Sequence, residues 1–212
     1  MNDRRTTNKA LILILGVIAI ATTYQFLGFI PVDMKILDPV SAVFNMVLTG
    51  LLAFVVLKDE FTEWFKHFSI KWTIITIPVL FITSMACGKV WQLISDGGLT
   101  ENAINSVITW KYVISHTPFM LMGEEFLSIT LLFALWKKLN LKFWQASLIC
   151  AVLFAFWHIA SYGYNIPQIL ITIIAPRLIL NLAFKKSDSI WTTWVAHVAF
   201  DTITFLPILL LK

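Results

Sequence analysis

Charge is what this chain has least of. Asp, Glu, Lys and Arg make up 13% of its 212 residues, against roughly 25% in soluble domains, and 58% of the chain is hydrophobic. Such a composition cannot clothe a soluble globule and marks a membrane protein. Cysteine is almost missing: Cys87 and Cys150 both fall in apolar stretches, which excludes a disulfide framework or a Cys-based metal site and leaves two small buried thiols. The zinc-helix spacing HExxH is absent as well. The basic excess of four charges is not gathered into a patch, so nucleic acid is not an expected partner. Internal repeats and low-complexity segments are lacking, and no loop has room for a soluble domain.

What is present is apolar length. A span needs about 20 apolar residues, and seven stretches approach that, at 10–30, 39–57, 72–94, 112–136, 143–161, 166–184 and 190–211. The first begins after a basic segment and could mimic a signal peptide, but its apolar run continues to Ile30, as an uncleaved span does. Lys and Arg divide unequally between alternate loops. One side carries Arg4, Arg5, Lys9, Lys58, Lys66, Lys71, Lys137, Lys138, Lys142, Lys185 and Lys186; the other has only Lys35, Lys89, Lys111 and Lys212. The positive-inside rule then puts the N-terminus in the cytoplasm. The sequence "KDEFTEWFKHFSIKW" (58–72) mixes charge with Phe and Trp and reads as a short interfacial amphipathic helix, with His67 at headgroup level. Seven of the nine Trp lie near span ends, as an aromatic belt places them. Pro78, Pro118, Pro176 and Pro207 fall inside spans and should kink them.

Removing the loops leaves few ionisable residues: Glu124, Glu125, His158, Arg177, His197 and Asp201, with His116 near a span end where it could line a site entrance. Charge at membrane depth is costly and by default functional. Phe154 and His158 are four apart, as are His197 and Asp201, so each pair shares a helix face. Glu124 and Glu125 differ by about 100° around their helix, so one can face a site while the other anchors it or takes a cation. Two His and several carboxylates from separate helices could bind a divalent metal, activate water, or hold a haem between His158 and His197. Water activation fits best, since a desolvated carboxylate beside a histidine is suited to take a proton from water. His197 and Asp201 could then serve the oxyanion of a tetrahedral intermediate. A zinc ion could use Glu124, His158 and His197.

The ordered set of a Glu–Glu pair, "FAFWH" as FxxxH, and "HVAFD" as HxxxN/D resembles the CPBP intramembrane proteases. These comprise CAAX prenyl endopeptidases and bacteriocin-processing or self-immunity proteins, also called the Abi family. The segment "KKSDSIWTTWVAH" is similar to the turn that leads into the family's last motif helix. The resemblance covers about 112–205. It implies cleavage of a peptide or membrane-anchored protein, with Glu124 as the base, His158 its partner, and His197 with Asp201 at the oxyanion, Asp201 standing where many relatives have Asn. Members of the family are described both as metalloproteases and as glutamate proteases, and the glutamate type without cofactor is favoured because a Glu–His pair needs no metal to take a proton from water. The family's first motif is usually EExxxR, and here Ile129 occupies the Arg position. Either Arg177 reaches across to Glu125 from a neighbouring helix, or Arg177 snorkels to the interface and Glu125 is protonated.

The expectation is therefore an all-α polytopic protein, one transmembrane domain over 1–212. Spans at 10–57 and 72–94, with the interfacial segment 58–71 between them, precede the family-like core. Its expected setting is a plasma membrane of bacterial type. Two other readings remain open: a non-catalytic interaction or self-immunity protein, and a haem-bearing membrane subunit.

Overall fold

The structure, a computed structural model, describes residues 2–95 and 98–211, and among these the regular structure is helical throughout. The helices are α1 (Asn2–Gln25), α2 (Met34–Leu57), α3 (Asp59–Glu63), α4 (Ile70–Ile94), α5 (Ile104–Val107), α6 (Trp110–Ser115), α7 (Thr117–Phe133), α8 (Phe143–Trp157), α9 (Ile166–Thr172), α10 (Ile174–Ser187) and α11 (Ile190–Leu211). A π-helical turn, Ala134–Lys138, extends α7. In lipid every backbone group must be satisfied internally, which is why apolar length becomes helix here.

Among the described residues six segments are long and apolar enough to cross a bilayer: Arg4–Phe29, Met34–Leu57, Ile70–Ile94, Thr117–Lys138, Ile166–Ser187 and Ile190–Leu211. The fifth expected span, 143–161, holds the shorter, 15-residue α8. At 1.5 Å per residue it measures about 22 Å, short of the roughly 30 Å hydrocarbon core. Two other stretches that read as continuous are broken. The fourth span divides at His116, the sixth at Ile173. Pro118 and Pro176 lie in the first turns that follow these breaks, where proline's missing N–H costs nothing, rather than in kinked interiors. Pro78 and Pro207 do lie inside helices.

Contacts sort the connections onto two faces. On the first, Ile190 donates its N–H to the Trp64 carbonyl (2.9 Å) and the Trp191 indole donates to the Phe65 carbonyl (3.1 Å). Ser189 Oγ donates to the His67 carbonyl, and Lys138 pairs with Glu60. The segment 58–69 is thus not a helix lying flat on the membrane. Only Asp59–Glu63 is helical, and Phe61 and Trp64 turn inward and are buried with Phe126, Phe133 and Phe184. On the second face Gln25 Nε2 donates to the Trp157 carbonyl (2.8 Å) and Ala103 N–H to the Ser161 carbonyl (2.9 Å). There too Gln168, almost fully buried, accepts from Thr100 N–H and donates to the Thr100 carbonyl, both at 2.8 Å.

α7 is the centre of the bundle, with most of its residues buried. It packs closely on α2. A Cβ on Gly123 would come within 2.8 Å of Asn45 Cβ and of the Met46 backbone nitrogen, so this glycine lets two backbones touch one residue before the glutamate pair. Cys150 is buried on α8, whereas Cys87 on α4 is only partly so.

Candidate active site

The two glutamates of α7 part company as their 100° offset requires. Glu125 is fully buried. Arg177 of α10 meets it with a bidentate pair, Nη1 to Oε1 at 2.7 Å and Nη2 to Oε2 at 3.1 Å. The guanidinium is fixed in turn: Nε donates to Asn181 Oδ1 (3.0 Å), whose amide donates to Ser147 Oγ (3.0 Å), and Cζ lies 5.2 Å from the centroid of the Phe154 ring. The cation that the motif position Ile129 does not supply therefore arrives from another helix. Ile129 itself is buried among apolar neighbours. A charge pair sealed this way is tolerated because its hydrogen bonds are filled from all sides.

Glu124 points the other way, into a cavity of about 610 Å³ whose lining also includes His158, Arg177, His197 and Asp201. Its carboxylate faces His158, Oε2 to Nε2 at 3.8 Å, with both side chains about one-fifth exposed. His158 ends α8, and its Nδ1 lies 2.9 Å from the Phe154 carbonyl one turn back. A carbonyl only accepts, so Nδ1 carries the proton and Nε2 is presented to Glu124. The FxxxH spacing thus does two things: it orients the imidazole and places Phe154 against Arg177.

His197 of α11 uses Nδ1 on Glu125 Oε1 at 2.9 Å, which leaves Nε2 for the cavity, where Asp201 Oδ1 lies 3.9 Å away. This contact with Glu125 is one that the expected pairing of His197 with Asp201 did not include. The buried Glu125 is the link, holding Arg177 and His197 together. His116 does not line the site entrance and is a polar residue near the span end, the alternative to that role. It is not among the cavity-lining residues and pairs with Asp38 (2.9 Å) at the α6–α7 junction. Sequence reasoning passed over Asn181, Ser147 and several lining residues, among them Tyr24, Asn45, Asn102 and Tyr162. Asn181 did leave a signal: it follows Arg177 by four residues in the otherwise apolar run "RLILN".

Facing carboxylate and imidazole, a second imidazole with an outward nitrogen, and a chamber of mixed polar and apolar lining can polarise a water against a carbonyl. Zinc would need Glu124, His158 and His197 at one point. Among the described residues no three His, Cys, Asp or Glu side chains are so gathered, and as placed these three do not form a zinc site.

Residues 105–203, just under half of the chain, match the family described as type II CAAX prenyl endopeptidase Rce1-like. Over these residues the chain is similar to the CAAX prenyl endopeptidases, and the match supports the CAAX protease family. Its six long apolar helices make it a multi-pass membrane protein. No curated protein and no solved structure matches the chain. The matched region contains Glu124, Glu125, His158, Arg177, His197 and Asp201, and α1, α2 and α4 lie outside it.

Proposed function

We propose that this protein is an intramembrane endopeptidase of a plasma membrane, working by a glutamate-activated water. The observation that carries this reading is the pair Glu124–His158, aligned across 3.8 Å inside the cavity with His158's tautomer set by Phe154. A water held between the two loses a proton to Glu124 as its oxygen adds to the scissile carbonyl. The developing oxyanion is met by His197 as an imidazolium, its Nδ1–H given to Glu125 and its Nε2–H facing the cavity with Asp201 beside it. The proton on Glu124 then passes to the leaving amine. Arg177 and Glu125 touch no reacting atom; they are positioning residues that fix His197. The substrate class is a peptide or a membrane-anchored protein tail.

The test compares protein termini in membranes of cells carrying wild type, Glu124→Gln or His158→Ala, at matched levels of inserted protein. New termini should appear with wild type alone, and wild-type cleavage should survive a zinc chelator. Termini that persist in both variants defeat the assignment and leave a binding or self-immunity role, for which the near-isosteric Glu124→Gln would be silent. Cleavage lost to chelation favours zinc, and a Soret band in the purified protein would instead support haem.

A further inference from the structure

The cavity belongs to one face of the bundle. Its lining residues outside the long helices include Asn102 to Ile104, Ser106, Val107, Ser161 and Tyr162, and Gln25 joins them at the end of α1. All sit on the face where Gln25 meets Trp157 and Ala103 meets Ser161. None comes from 58–69, 137–142 or 185–189, the segments that build the opposite face. A second cavity of about 820 Å³ adjoins the first through Ser84, Tyr162, Thr172 and Phe200, and its loop residues Leu99 to Glu101 lie on the same face. Towards the opposite face the path is shut by a stack of edge-on rings. Phe61 and Phe65 close on Phe126, and Trp64 closes on Phe133 and Phe184, with centroids 5.3–6.0 Å apart.

The shut face carries the charge. Lys58 and Lys66, Lys137 to Lys142, and Lys185 with Lys186 fall on the segments that Trp64, Phe65, Glu60 and Lys138 bring together. α1 packs on the turn Ala134–Lys138, so Arg4, Arg5 and Lys9 lie at that end as well. Among the described residues the open face has Lys35, Lys89 and Lys111. Lys and Arg in short loops stay cytoplasmic.

We propose that the catalytic chamber opens to the extracytoplasmic side, so that the substrate is a peptide segment already exported or exposed on the outer surface. This extends the peptidase reading and rests on it for the word substrate; the direction of opening does not. The experiment uses the full chain in intact cells, with Cys87→Ser as background and a membrane-impermeant thiol reagent as probe. Glu101→Cys and the cavity-lining Ser161→Cys should be modified before lysis, and Lys66→Cys only after it. Lys66→Cys modified in intact cells while Glu101→Cys is not would reverse the orientation and overturn the proposal. Ser161→Cys modified only in inside-out vesicles, or from neither side, would overturn it too. Modification needs no catalysis, so adding Glu124→Gln must leave the pattern unchanged. A failed cleavage assay and a reversed topology are therefore separate results.

Discussion

At the scale of single residues the site turns on Glu125, a carboxylate with three nitrogen contacts and no exposure. Arg177→Met should cost about 3–5 kcal/mol, because it leaves the partner charge buried and unpaired. A lowered unfolding midpoint in detergent would register this, and pairing it with Glu125→Gln should restore much of the loss. Ile129→Arg should not rescue Arg177→Met, since that side chain packs into a closed apolar cluster. The division of labour between Glu124 and Glu125 was legible from their 100° separation. The Glu125–His197 bond was not, because the HxxxD spacing offered His197 a neighbour on its own helix, and only the packing of α11 on α7 shows which carboxylate it meets.

Among the elements, α7 depends on its approach to α2. Gly123→Ala pushes a methyl group against the Met46 backbone, which cannot give way as a flexible side chain would. Overpacking of this kind costs about 1–3 kcal/mol, and here it also displaces the next residue, Glu124. Gly88→Ala meets nothing within 4 Å and should leave stability unchanged or slightly raised. A thermal scan of both variants together with the cleavage assay separates the two. The existence of the helices was readable from apolar length, but their interruptions were less so. Hydropathy runs unbroken through His116 and Ile173, and prolines two or three residues later were the available sign, read as kinks when they mark fresh starts. The shortness of α8 was hidden because its apolar run continues into the turns after His158.

For the whole molecule, the strap between α4 and α6 is held across the open face by Gln168, through two backbone bonds to Thr100. Asn165 adds a bond to the Thr100 hydroxyl. Gln168→Leu should therefore raise hydrogen exchange at 99–108 while α1 and α2 keep their protection; unchanged exchange in the strap would mean that other contacts hold it. The uneven distribution of Lys and Arg was plain in the sequence. That the same division separates a sealed face from a hollow one was not, because the seal is made by aromatic rings drawn from loops and helices far apart in the chain.

The buried ion pair also has a history during synthesis. Glu125 and Arg177 are 52 residues apart, and at ribosomal speeds of roughly 5–20 residues per second the glutamate precedes its cation by about 3–10 s. Through that interval α7 carries an unneutralised acid at membrane depth, a burden of about 3 kcal/mol on insertion scales. The helix must be sheltered by the insertion machinery or hold a proton until α10 follows. In a nascent chain halted before Ile174, α7 should insert less completely than in the full chain, while the spans before it stay in the bilayer.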